Sequence, residues 1–355
     1  MTAIYKVRDG HDGWEIRDIP RREPGPGEVE LQIMAAGICG SELHLYHDNH
    51  FYTPPSLIGH EWSARISKVG EGVPDWKVGD KVVTLPSRNA CGHCFYCSIG
   101  QSVFCAARRP FGPYGPNDGG GWREYFTMKA EGFLRVPDSV SFEEAAMLEP
   151  ASVLVQALCI KAPVHTGDVV VVQGAGTIGI LAAQVAKAAG AGRVIITDVA
   201  SAREVKLPVA RALPAIDQVV DITETDLKAL VMAETDGRGA DMVVDCSGSE
   251  AAVNSAFGLV RRSGRVVAIG EPATPSISVN WIDAIIQNID LHFTFGSTND
   301  AWRIALQLVA DGRVQLKPLI SHRIALADFE EGFKLMDDKK ALKVMMFPHG
   351  EAAAR

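Results

Sequence analysis

Residues 169–179 read "VVVVQGAGTIG", and few folds can accommodate such a stretch. A β-branched run meets Gly174-x-Gly176-x-x-Gly179, which opens directly into the helical pattern "IGILAAQVAKAAG" ending at Gly190. In that context the first glycine makes a tight turn and the second lets a pyrophosphate approach the backbone. The third lets helix and strand touch. The phosphates would rest on the amides of this turn and the first helical turn, Gly174 to Gly179 with Thr177 and Ile178, at the positive end of the helix dipole. The next apolar strand, "RVIIT", leads into Asp198, nineteen residues after Gly179, where a carboxylate holds the adenosine ribose hydroxyls. That carboxylate would repel a 2′-phosphate, so NAD is expected over NADP. Arg203 follows, placed to stack on adenine, to pair with a phosphate, or to remain a solvated surface arginine.

The motif implies a whole domain. After Pro150, apolar strands ("DVVVVQ", "RVIIT", "DMVVDCS", "GRVVAIG") alternate with helical sequence, the pattern of a doubly wound parallel sheet covered on both faces. Before Pro150 the chain reads as short strands between Gly/Pro turns, a β-rich domain or barrel, with a loop expected over 111–121. The last sixty or so residues return to amphipathic helices and the strand-like "LKVMMFP". A length of 355 residues suits two such domains. A formal charge of −8 disfavours nucleic acid or an anionic membrane as partner. There is no run apolar enough to span a bilayer and no signal-peptide pattern at the start, so a reducing cytoplasm is expected. In that compartment clustered cysteines are metal ligands or catalytic groups more often than disulfides.

Such a cluster is present. "CGHCFYCSIGQSVFC" spaces Cys91, Cys94, Cys97 and Cys105 as C-x2-C-x2-C-x7-C. Four thiolates on a tight loop suit a closed tetrahedral zinc with no open position, hence a structural site. An iron–sulfur cluster takes the same ligands but would want a redox partner. A second, dispersed set lies in "AGICGSELH" (36–44), "IGHEW" (58–62) and "MLEPAS" (147–152). Cys39, His60 and an acid would leave zinc one open position for water or alcohol. Taken singly, Cys39 reads equally well as a core thiol, His60 as a buried hydrogen-bonding imidazole and Glu149 as a helix-end acid.

"GICGSELH", "GHE", the four-cysteine segment, "LEP" and "GAGTIG" followed by Asp198 stand in one order, and in this the chain resembles the zinc-dependent medium-chain dehydrogenase/reductases over essentially its full length. It looks most similar to the sorbitol/polyol and threonine dehydrogenase branches. The resemblance implies an α/β protein with a GroES-like β-rich catalytic domain (1–152 and 297–355, structural zinc lobe 88–108) and a Rossmann doubly wound NAD-binding domain (153–296). It implies two zinc ions per chain, one catalytic and one structural, and a homodimer or homotetramer. Cys39 and His60 would be catalytic zinc ligands, with Glu61 and Glu149 competing for the acid position. Ser41 would hydrogen-bond the substrate oxygen and His44 would pass its proton outward; the bland alternative makes Ser41 the cap of a helix beginning near Glu42. Glu42, where Asp is commoner, would orient the ligand histidine, and Val153 would back the nicotinamide ring. No mechanism attaches to Gln156. Arg123 matches an arginine of the polyol branch and lines the expected substrate pocket with Ser41 and Ser297, whereas Gly296 and Ser297 replace the arginine and aromatic residue often found there. The expected activity is oxidation of a secondary alcohol or polyol to a ketone by hydride transfer to NAD. The alternatives are an L-threonine 3-dehydrogenase or amino-alcohol dehydrogenase and, more remotely, a zinc-free quinone/enone reductase or a non-catalytic nucleotide-binding protein.

Overall fold

A computed structural model describes residues 1–48, 54–88, 90–108 and 120–354. Of the loop expected over 111–121, residues 111–119 lie outside the described residues, and Gly120 and Gly121 donate to Leu57 O and Gly59 O at 3.1 and 2.8 Å. The chain divides into two compact units: Met1–Glu149 with Ser297–Ala310 and Ile320–Arg355, and Pro150–Gly296 with Asp311–Leu319. The sequence reading placed the first crossing three residues later, at 152/153, and kept 311–319 with the catalytic domain. The physical reason for the second difference is a reciprocal amide pair. Gln184 Nε2 donates to Gln315 O at 3.1 Å while Gln315 N donates to Gln184 Oε1 at 2.7 Å, which ties that segment to the second unit. Among the described residues no helix is long and apolar enough to cross a membrane.

The first unit is built on the strand Glu28–Gly37, "EVELQIMAAG", which is buried along almost its whole length. It pairs antiparallel with Trp62–Val69, Tyr125–Lys129 and Lys343–Phe347. Irregularities at Glu30/Leu31 and Ile33/Ala35 re-aim its end, as bulges do, just before Cys39. The wider sheet has seven strands, and a three-stranded sheet (Trp14–Asp18, Thr2–Lys6, Ser56–Leu57) completes the unit. Within a largely aliphatic core lies an aromatic cluster. Phe329 and Phe333, spaced i,i+4 on the helix Phe329–Asp337, share one helix face and meet Trp14 and Trp122. Phe333 also stacks on Tyr46 with centroids 4.5 Å apart, so this late helix braces the end of the helix Gly40–Tyr46.

The second unit is a six-stranded sheet in which every pairing is parallel. Numbered within the unit, its strands run third, second, first, fourth, fifth, sixth. That is the order of the dinucleotide-binding double winding, whose crevice opens where the order reverses. The first strand, Val169–Gln173, sits at that reversal and feeds the helix Thr177–Ala189, which Gly190 closes at φ 117°.

Phe333 is fully buried, so Phe333→Ala should cost about 3–5 kcal/mol in the first unit. Urea titration by tryptophan fluorescence checks this: the midpoint attributed to that unit should fall clearly, while circular dichroism of the parallel-sheet unit keeps its own midpoint.

Candidate active site

The four-cysteine lobe closes on itself. Gly92, at φ 78°, takes the turn after Cys91. The Cys91 amide then donates to Cys105 Sγ and the Cys94 amide to Cys91 Sγ, each at 3.3 Å. Cys91 Sγ and Cys97 Sγ are 4.0 Å apart, and all four sulfurs lie within 4.8 Å of one another. A zinc with four sulfur ligands at 2.3 Å has tetrahedral edges of roughly 3.8 Å. The donor set therefore fits that ion, with no coordination position left over. The electrostatics agree. The Cys91 amide lowers the Cys105 thiol to about 6, whereas lost solvation and then Cys94 push Cys97 up to about 12. Four thiolates are compatible at neutral pH only around a cation.

The dispersed set converges on one imidazole. The strand Glu28–Gly37 delivers Cys39 to the start of the helix Gly40–Tyr46, where Cys39 itself is the N-cap. The helix therefore begins earlier than the expected start near Glu42, and Ser41 lies inside its first turn, not at its cap. Glu42 Oε2 accepts from the Cys39 amide at 2.8 Å, and Glu42 Oε1 faces His60 Nδ1 at 2.7 Å. The longer side chain thus reaches the histidine and fixes both segments. Burial alone would raise Glu42, but His60 outweighs it and holds the carboxyl below the usual range. Two groups of potential ligands share His60: Cys39 with Glu42, and Glu61 with Glu149. Ser41 Oγ lies 3.8 Å from Cys39 Sγ. His44, three residues further along, is partly buried on the same helix face.

Sequence reasoning missed Lys343. It is buried, its Nζ contacts Glu61 Oε2, and it donates to Ile38 O at 2.9 Å. Burial would lower this ammonium, but Glu61, Cys39 and Glu42 more than compensate and keep its pKa raised. The only sequence signal was a lysine leading the otherwise apolar strand "KVMMF". Gly37 makes room for the pair, because a Cβ there would lie 2.2 Å from Glu61 Oε2 and 3.0 Å from Lys343 Cε. Glu149, on the first turn of the helix Leu148–Val155, has its carboxyl pushed up to about 7. Lost solvation is the main cause; His60 and Lys343 pull the other way and more than balance the repulsion from Glu61 and Glu42, but they do not overcome burial. This donor set of thiol, imidazole and carboxylate fits a zinc with an open position.

Other expected site residues have definite places. In the second unit Gly174 stands at φ 99°, a Cβ on Gly179 would lie 1.7 Å from Gly174 O, and a Cβ on Gly176 would meet nothing within 4 Å. These are the three requirements of a pyrophosphate turn. Thr177 and Ile178 begin the helix. Asp198 Oδ2 accepts from the Ala175 amide at 2.8 Å, which sets the acid beside the turn. Arg203 is committed elsewhere, to Asp221, to Glu224 at 2.7 Å and to Thr223 Oγ1 at 3.1 Å. Arg203 is thus a surface arginine, as one of the alternatives had it, and it is ion-paired there. Val153 is partly buried in its helix. In the first unit Ser297 is buried with Oγ accepting from Trp302 Nε1 at 3.0 Å, and Arg123 is buried against Phe126.

Comparisons agree with this geometry. The family description "Alcohol dehydrogenase GroES-like domain" matches residues 25–138, and "Zinc-binding dehydrogenase" matches 177–311. Sorbitol dehydrogenase of Halalkalibacterium halodurans is 33% identical, with 98% of this chain and 99% of the relative covered. L-threonine 3-dehydrogenase of Pyrococcus horikoshii is 32% identical, with 97% and 98% covered. The structure of alcohol dehydrogenase TADH from Thermus sp. ATN1 superposes with a TM-score of 0.81 at 29% identity, covering 98% and 99%.

The raised Glu149 carboxyl has a signed consequence for the metal-free protein. A carboxyl that titrates near 7 when folded and near 4.5 when unfolded contributes full stability below pH 4.5, which is lost as pH rises through 7. Chelator-treated wild type should therefore lose melting temperature more steeply between about pH 5 and 8 than chelator-treated Glu149→Gln. Parallel slopes in the two proteins would exclude Glu149 as the source.

Proposed function

The chain belongs to the zinc-type medium-chain alcohol dehydrogenase family, and we propose that it oxidises a secondary alcohol or polyol to a ketone with NAD as hydride acceptor. The observation that carries this reading is the shared His60, which belongs both to a group with Cys39 and Glu42 and to a group with Glu61 and Glu149, with Glu42 facing its Nδ1. Carboxylates that hold one ring nitrogen commonly accompany histidines that bind metal through the other. Zinc held by Cys39, His60 and one of Glu61 or Glu149 would supply the Lewis acidity that makes an alcohol proton removable near neutral pH. Glu61 is paired with the buried Lys343, so either carboxylate would hold the zinc with Lys343 balancing the charge of the set. Ser41 then hydrogen-bonds the substrate hydroxyl and takes up its proton, and His44, one helical turn on, passes it outward. A second zinc held by Cys91, Cys94, Cys97 and Cys105 braces the lobe.

NAD is the favoured nucleotide because Asp198 presents a carboxylate at the pyrophosphate turn, with Lys206 Nζ no nearer than 3.9 Å and Arg203 bound to Asp221 and Glu224. Similarity to an L-threonine 3-dehydrogenase at nearly the same identity supports the amino-alcohol reading as the alternative. NADH formation across sorbitol, xylitol, L-threonine and simple secondary alcohols, each repeated with NADP, separates these readings. The expected result is turnover of polyols with NAD. Zinc analysis should find about two ions per chain, falling to about one in Cys39→Ser with turnover down at least about a thousandfold. Turnover of threonine alone would replace the substrate reading, and full activity in Cys39→Ser would end the metal assignment.

A second copy of this chain is the proposed partner. The strand Asp290–Phe293 is an edge of the parallel sheet among the described residues, and beside it Trp281, Ile282, Ile285, Ile286 and Phe293 are exposed. An apolar edge of this kind invites pairing. Light scattering should show a dimer or tetramer, and Ile286→Glu should lower the assembly state. A monomeric wild type would remove this proposal.

A further inference from the structure

Two arginines of the β-rich unit converge on one ring. Arg123 Cζ lies 3.9 Å from the Phe126 centroid and Arg88 Cζ 5.7 Å from it. Arg123 is 2% exposed. Its Nε donates to Gly120 O at 3.0 Å, while its Nη2 is enclosed and, among the described residues, has no hydrogen-bond partner. The groups acting on its charge are Tyr5 and Arg88, the second of them another cation. The other buried cations are answered by acids: Lys6 by Asp48, Lys343 by Glu61 and Arg265 by Asp168. Arg123 is the exception among them. Burial pulls its pKa down to about 9, with Tyr5 opposing and Arg88 adding to the shift, so it is still charged at neutral pH.

A buried guanidinium with an idle donor and a second cation close by is electrostatically incomplete, because charges inside proteins are ordinarily paired. It is also pre-organised. Stacking on Phe126 fixes its plane and the bond to Gly120 fixes its rotation, leaving a terminal N–H in the fork geometry that matches a carboxylate or phosphate. The position is informative as well. The preceding residue, Trp122, donates through Nε1 to Gly37 O at 3.1 Å and through its amide to Ile58 O at 3.0 Å. These are the segments that deliver Cys39 and His60. Arg123 thus follows directly on the residue that braces both halves of the metal centre.

We propose that Arg123, with Arg88 beside it, is an oxyanion site that receives the carboxylate or phosphate group of an acidic alcohol substrate. This rests on the alcohol-oxidation reading and narrows its substrate class from neutral polyols to anionic ones. The same chemistry would accept free inorganic phosphate, so the test needs one arm for each source.

In the first arm, kcat/KM is measured for sorbitol 6-phosphate and for sorbitol with wild type, Arg123→Met and Arg123→Lys holoenzyme. Wild type should prefer the phosphorylated alcohol. Arg123→Met should lower the ratio of the two kcat/KM values at least about tenfold, mostly through KM, and Arg123→Lys should retain part of it. In the second arm, melting temperature is followed against inorganic phosphate. Wild type should gain stability with a saturating dependence, and Arg123→Met should not. An equal ratio in wild type and Arg123→Met overturns the proposal. A phosphate-dependent, Arg123-dependent melting shift without preference for the phosphorylated alcohol also overturns it, since the ligand is then the free anion. If Arg123→Met does not fold, an unchanged ratio in both Arg123→Lys and Arg88→Met is the overturning result. Absence of any alcohol turnover would sink the dehydrogenase reading itself, whereas turnover with an unchanged ratio sinks only the anion site.

Discussion

Three carboxylates, Glu42, Glu61 and Glu149, are gathered around one imidazole in the first unit, and the cost of taking them out of water shapes what surrounds them. The protein answers each differently. Glu42 faces His60 Nδ1 and accepts from the Cys39 amide, which ties the two ligand segments together. Glu61 is neutralised by Lys343, brought from the far end of the sequence on a strand that pairs with Glu28–Gly37. Glu149 differs again: loss of solvent, more than any neighbour, raises its carboxyl to about 7, against the pull of His60 and Lys343. The glycine at 37 and the kinked strand before it exist because these charged groups occupy the space that a side chain would take.

Most of the architecture could be read from the sequence because its signals are local. The C-x2-C-x2-C-x7-C spacing brings four sulfurs together with little help from the rest of the fold, and the glycine turn carries its own strand, helix and acid. The three glycines at 174, 176 and 179 have the distinct steric surroundings that their positions imply. What could not be read depends on partners distant along the chain. Lys343 finds Glu61 only after the last strand joins the sheet. Arg203 is drawn to Asp221 and Glu224 on a neighbouring strand and loop, and Ser297 to Trp302 one helical turn later. In each case the pairing follows from charge or hydrogen-bond partners that only the folded chain brings near.

The helix start illustrates the same point on a small scale. Ser41 is the better cap by residue preference. Glu42 decides otherwise, because its carboxylate reaches back to the Cys39 amide and moves the start of the helix to Gly40. Ser41 is thereby relieved of a capping duty, and its hydroxyl lies within 3.8 Å of the cysteine sulfur. Here a tertiary demand, the orientation of His60, overrides an intrinsic helix preference.

The reciprocal amide pair between Gln184 and Gln315 also bears on biogenesis. Because 311–319 belongs to the second unit while the residues on either side belong to the first, the chain passes from one unit to the other four times. During synthesis the first 149 residues emerge without the strand Lys343–Phe347 or the helix Phe329–Asp337. A nascent chain at that stage holds every acid of the candidate site but lacks the lysine that pairs with Glu61 and the phenylalanines that pack on Trp14. Only a chain synthesised through both units can cover that acidic cluster and complete the aromatic packing beside it.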